Sequence, residues 1–216
     1  MVKDFLSKFT VSRECFDLRA LEDPVALKTA WNPLVSGGWS FCTHRLSSNN
    51  GIRRMHVSVV AHLLCFFCIG LGVFISRYIT WTLSDPSTMT SGNIPLWLVP
   101  FMPLIFSVVG AGMLWWLYRK NVLFDKKRGA YTYQGESFPL QEAHAIQLIR
   151  EYCSGGSNNS SYLSFEMNLV LKTGERFNVT DHGSLGAIRV DGKKLSEYLD
   201  IPVWDLIDYE IRVGNH

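Results

Sequence analysis

Hydrophobic and polar positions divide this chain sharply. Two long apolar runs, Met55–Ser76 and Pro95–Tyr118, lie near its middle, and neither contains Asp, Glu, Lys or Arg. At a rise of ~1.5 Å per residue each run is long enough for the ~30 Å hydrocarbon core of a bilayer. The pattern therefore predicts two membrane helices joined by the polar segment Trp81–Ile94. After the second run it becomes strand-and-turn punctuation: Asn121–Asp125, Ala130–Gln134, Phe138–Leu140 and Ala143–Tyr152 read as strands separated by polar turns. In Tyr162–Lys172, Leu163, Phe165, Met167, Leu169 and Leu171 alternate with Ser164, Glu166, Asn168, Val170 and Lys172. That period of two predicts a strand with one face on a core and the other in water. Thr173-Gly174-Glu175 turns it back into Arg176–Thr180.

Near the C-terminus, Leu185, Ile188, Leu195, Tyr198 and Leu199 form one stripe at helical spacing, with Asp181 or Ser184 as cap. Gly192 weakens the middle of this helix, and Ile201-Pro202 ends it. Val203–Leu206 follows, with Trp204 expected to pack on the sheet. Before the first apolar run, Asn50-Gly51 between Trp39–Leu46 and Ile52–Ser58 is a type I′ hairpin signal. Further upstream, Glu22-Asp23-Pro24 leads into a short helix over Val25–Trp31.

These elements predict a membrane α+β protein. Its parts are a two-helix transmembrane hairpin, with spans at about 55–76 and 95–118, and a cytoplasmic antiparallel β-sheet plugged by a C-terminal helix, in the plan of a pleckstrin-homology-like (PH-like) domain. The expected divisions are 1–54, an N-terminal segment with a β-hairpin; 55–118, the helical hairpin; and 119–216, the β-rich domain.

Charge orients this arrangement. Arg45, Arg53 and Arg54 precede the first run, and Arg119, Lys120, Lys126, Lys127 and Arg128 follow the second, whereas the connecting segment carries only Asp85. The positive-inside rule then places both termini in the cytoplasm of a multi-pass protein of the bacterial inner membrane. Residues 1–54 have no early apolar stretch, so the first run is expected to serve as its own insertion signal. A net charge of +2 and the lack of a basic-aromatic stripe argue against a nucleic-acid partner. Cys65-Phe-Phe-Cys68 lies within the first span and reads as small apolar side chains rather than a redox pair. The sequons at Asn158, Asn159 and Asn178 are chance in a cytoplasmic domain.

Candidate chemistry is sparse. Gly70 and Gly72 in the first span, and Ser107, Gly110 and Gly112 in the second, form small patches at matching depth and are the candidate helix-packing residues. Pro100 and Pro103 predict a kink. His56 sits at the cytoplasmic interface, and His62, one and a half turns deeper, reads as a neutral histidine bonded to a backbone carbonyl. Asp181-His182-Gly183 and the pairing of Cys153 with His144 or His182 are the most site-like groupings, but neither adds up to a catalytic, cofactor or metal site. The chain therefore reads as a non-enzyme with no cofactor. Lys126-Lys127-Arg128 determines topology and is also a candidate contact for anionic lipid.

A resemblance covers most of the chain. The run Trp31-Asn32-Pro33-Leu34-Val35-Ser36-Gly37-Gly38-Trp39-Ser40-Phe41-Cys42-Thr43-His44 is similar to a W-x-P…GG-x-x-F-x-T-H pattern. Leu169–Val179, Asp181-His182-Gly183 and Leu195…Leu199-Asp200-Ile201-Pro202-Val203-Trp204-Asp205 resemble the C-terminal half of the same proteins. These are small two-span inner-membrane proteins of Gram-negative bacteria, some of them resembling immunity proteins of type VI secretion systems. The resemblance implies a non-catalytic membrane protein that neutralises a membrane-acting effector by binding it, with lipids and a cognate toxin as partners. The alternative is a membrane-anchored adaptor or lipid-sensing module. Oligomeric state is not legible.

Overall fold

The computed structural model describes residues 14–83, 101–120, 122–155 and 160–212. The chain divides into two compact units, one of residues 1–56 and 121–216, the other of residues 57–120.

The first unit is β-rich. Its elements are β1 (Cys15–Asp17), α1 (Pro24–Lys28), β2 (His44–Asn49), β3 (Ile52–Val57), β4 (Val122–Asp125), β5 (Ala130–Tyr133), β6 (Glu136–Pro139), β7 (Ala143–Gly155), β8 (Ser160–Leu171), β9 (Arg176–His182), α4 (Leu185–Leu199), β10 (Val203–Asp205) and β11 (Glu210–Arg212). The strands form three sheets rather than one: β2-β3-β4-β5-β6, β10-β7-β8-β9, and the two-stranded pair β1-β11. β10 runs parallel to β7, and β1 parallel to β11. The single PH-like sheet expected from the sequence is thus replaced by an α+β fold of three sheets. Its physical cause is long-range pairing: β10 lies beside β7 by way of α4, and β11 reaches back to β1.

Local signals explain the elements. Asn50 and Gly51 both adopt positive φ, 49° and 79°, the I′ geometry that joins β2 to β3. Asp23 caps α1 by accepting the Val25 N–H at 2.8 Å. α4 runs unbroken through Gly192, where a Cβ would approach the Leu148 methyls to 3.1 Å. Glycine at that position buys close helix-to-sheet contact rather than a break.

Apolar side chains of the two larger sheets meet in one core. Met55, Phe124 and Tyr131 face Ile146, Leu148, Phe165, Met167 and Leu169, with Ile188 and Leu195 of α4 joining them. A second cluster, including Trp31, Ile149, Val170 and Trp204, covers the opposite face of the β7–β8 sheet. β8 is consequently buried on both faces, not on one.

The second unit packs α2 (Val59–Leu83) against α3 (Phe101–Arg119). Among the described residues one helix is long and apolar enough to cross a membrane, Val59–Thr82, with a mean hydropathy of 2.4 and 17% of the window buried. The first predicted span begins too early, since Met55–Val57 belong to β3 and Met55 is a core residue. The second is described as helix only from Phe101, over 19 residues, and is not among the described helices that meet the length and hydropathy of a membrane span. A two-span hairpin, a multi-pass placement and the inner-membrane topology with cytoplasmic termini derived from it are therefore not supported. Pro103 lies within α3, the third of its described residues. Pro100, Asp85, Asn158, Asn159 and most of Trp81–Ile94 lie outside the described residues.

Candidate functional site

Three places carry the polar and packing chemistry. The first is a strap over the β7–β8 sheet, formed by residues 30–43, the same run that bears the Trp-x-Pro…Gly-Gly motif. It has no regular element of its own, so its backbone amides need external acceptors. Two carboxylates supply them. Glu166, 2% exposed, accepts the Leu34 N–H at 2.9 and 3.0 Å and the Val35 N–H at 3.0 Å. Glu151 accepts the Gly37 and Gly38 amides at 2.9 and 3.3 Å. Beneath the strap, Asn168 donates to Glu166 and to Gln147, Gln147 donates to the Ala30 carbonyl, and Arg176 donates to the Asn32 carbonyl at 2.7 Å. Gly38 lies so close to the sheet that a Cβ would collide with Ser164. Of the β8 polar positions expected to face water, Glu166 is the strap's hydrogen-bond acceptor, and Asn168 is buried beneath it and donates to that carboxylate.

The site-like groupings of the sequence are absorbed into this scaffold. Asp181 and His182 belong to β9, and Ser184 occupies the helix-cap position without a side-chain cap bond. The His182 Nδ1 accepts the Ser184 N–H, the amide just before α4, at 3.2 Å. Nε2 therefore carries the ring proton, and it is buried without a partner. Burial lowers the His182 pKa to about 4, so the ring is neutral at pH 7. Cys153 sits under the strap, 4.0 Å from the Gly38 carbonyl, while His144 bonds Asp23 at 2.7 Å. Burial pushes the Cys42 and Cys153 thiols up, away from the reactive thiolate. Asn178 is buried and donates to Asn168, which leaves that sequon inaccessible in the folded chain.

Asp191 is a functional-looking residue that periodicity alone does not reveal. Fully buried on α4, it accepts from Arg45 at 2.9 and 3.2 Å and from the Leu46 N–H at 3.0 Å. It thereby ties the helix to β2. The signal available in the sequence was a lone acid on the apolar side of an amphipathic helix.

The second place is the helix crossing. A Cβ on Gly72 would meet Ser107 and the Pro103 carbonyl, and one on Gly110 would lie 2.8 Å from the Cys65 carbonyl. Gly72, Ser107 and Gly110 thus sit where α2 and α3 touch, whereas Gly70 and Gly112 face open space. His62 accepts from the Tyr118 hydroxyl at 2.8 Å, and its other ring nitrogen donates to the Ser58 carbonyl at 2.9 Å. At the end of α3, Arg119 lies over Trp115 and Lys120 over Trp116.

The third place is the basic turn. Asp125 accepts the Lys127 and Arg128 amides and so shapes the loop from β4 to β5. Lys126 is held against Tyr198 of α4, whose hydroxyl accepts the Lys126 N–H and donates to the Gly51 carbonyl, both at 2.7 Å. Lys127 and Arg128 project into solvent.

No protein-family model, no curated protein and no solved structure matches this chain.

Proposed function

We propose that this chain is a non-catalytic binding protein held at a membrane by α2, and that it acts as an immunity protein, neutralising a membrane-acting antibacterial effector by direct contact. One observation carries the anchored reading: the apolar exterior of the helical unit. Val59, Phe67 and Phe74 on α2 are 74%, 65% and 68% exposed, and Phe101, Leu104, Val108 and Trp115 on α3 are also exposed. A patch of this size in water is an aggregation hazard, whereas hydrocarbon covers it without cost. An effector working within a bilayer meets that surface in the same medium, and the strap motif's resemblance to small inner-membrane proteins, some of which resemble immunity proteins, favours this role.

The experiment is genetic. A strain that loses this gene but keeps a neighbouring effector gene becomes sensitive to effector-armed siblings, and a plasmid copy restores resistance. Equal survival of deletion and parent strains would overturn the immunity role. Ala at His182 or Cys153 leaves protection intact, provided the variants fold. The basic turn favours a second reading, a lipid-sensing adaptor, which predicts no change in sibling killing.

A further inference from the structure

We infer that the outer face of the five-stranded sheet carries a headgroup site for an anionic phospholipid, centred on Arg54 and His56. The inference rests on the membrane-anchored reading above and specifies a ligand for it. A pocket of about 220 Å³ opens on this face, lined by Asn49, Asn50, Ile52, Arg54, His56 and Leu123 among others. Alternation along β3 places Ile52, Arg54 and His56 on one face, and the register sets Arg54 beside Leu123 of β4. The result is an apolar floor ringed by a guanidinium, an imidazole and two amides. That donor set suits a phosphate diester, since guanidinium binds phosphate oxygens in a bidentate fork. The volume is below that of drug-sized pockets and fits a headgroup rather than an acyl chain.

Two further observations keep the site open. Among the described residues, the Arg54 and His56 side chains make no hydrogen bond or ion pair. The acid on the same face, Asp125, paired in register with Ile52, is already occupied by the Lys127 and Arg128 amides and lies 3.5 Å from the Arg128 Nε. Lys127 adds charge at the rim, its Cε 3.8 Å from where a Gly51 Cβ would stand. The lipid source follows from the covalent chain. Val59, the first residue of α2, is three residues after His56, a reach of at most about 11 Å.

The test titrates full-length chain in neutral detergent micelles with dihexanoyl phosphatidylglycerol, dihexanoyl phosphatidylcholine or inorganic phosphate, followed by calorimetry. Phosphatidylglycerol binds at one saturable site, at least about tenfold tighter than the other two. Arg54→Gln weakens it at least about tenfold, His56→Gln weakens it less, and Lys193→Gln, which removes the same charge from α4, leaves it unchanged. Both pocket positions are exposed, and unchanged thermal midpoints confirm folding. An Arg54→Gln affinity equal to that of the parent overturns the site. Equal binding of phosphatidylcholine shows that charge is not read, and equal binding of phosphate shows a free-anion site; either result overturns the lipid assignment. Flotation with phosphatidylcholine vesicles tests the anchor separately. A chain that fails to float overturns the anchored reading, while one that floats but binds no phosphatidylglycerol overturns only the headgroup site.

Discussion

The two units invert each other. In the β-rich unit the polar side chains Gln147, Glu166 and Asn168 are buried, while in the helical unit Phe66, Phe67, Val73 and Phe74 are exposed. Both departures from the rule of apolar inside and polar outside have the same cause, a covering partner. Over β8 the cover is the chain's own strap, whose amides are met by carboxylates and whose Ala30 carbonyl is met by the Gln147 carboxamide. Over α2 the proposed cover is lipid, which offers no hydrogen bonds and so demands an apolar exterior. Polarity along a chain reports what each face touches, not how far it lies from the protein's centre.

The largest expected effect comes from removing the strap's acceptor. Glu166→Ala takes the shared acceptor from the Leu34 and Val35 amides and from the buried Asn168 carboxamide and costs about 3–5 kcal/mol. Urea unfolding of the full chain in micelles measures it, and a loss under about 1 kcal/mol would show that the strap is held by its apolar contacts instead.

Acidification is next. His182 titrates near 4 when folded and at its ordinary 6.5 when unfolded, so between these values the unfolded chain binds more protons. Stability is therefore complete above pH 6.5 and falls as the pH drops towards 4, by about 3 kcal/mol in all. His182→Asn, which keeps an acceptor for the Ser184 amide, flattens that part of the pH–stability profile. An unaltered slope would place the dependence on other groups.

Helix contact gives a paired test. Gly110→Ala pushes a methyl against the Cys65 carbonyl and costs about 1–3 kcal/mol. Thermal melts in micelles compare it with Gly70→Ala, where the methyl meets nothing and better helix propensity gives about 0.5–1 kcal/mol of stabilisation. Equal melts would mean that the helices do not pack at Gly110. A smaller change belongs to the β2–β3 turn: Gly51→Ala, at φ 79°, costs about 1 kcal/mol by the same urea assay.

Legibility followed the range of each interaction. The β2–β3 turn, the alternation of β8, the β8–β9 hairpin and the stripe of α4 depend on residues a few positions apart, and each is visible as a local pattern. The strap is not, because Trp31–Thr43 has no period and its acceptor Glu166 lies 132 residues from Leu34. Gly192 misled for a related reason: its value lies in the approach of Leu148, 44 positions earlier in the sequence. Of the candidate packing residues, their depth along the helix was readable, but which of them face the partner helix was not. Rotation about the helix axis separates Gly72 from Gly70, and only the packed pair sets that rotation.

By itself, then, the sequence determined the local vocabulary: most strands of the two larger sheets, where the I′ turn falls, and that the first apolar run is apolar enough for a bilayer. It did not reveal β1 or β11, and it read a second span that the described helix does not support. Periodicity and φ preferences are properties of neighbouring residues, so they survive without a fold. Tertiary structure alone decided the number of sheets, the burial of both faces of β8 and the open pocket at Arg54 and His56. Each of these depends on which distant backbone or side chain arrives to satisfy a buried hydrogen-bonding group or leaves it free, and no pattern within a short window contains that information.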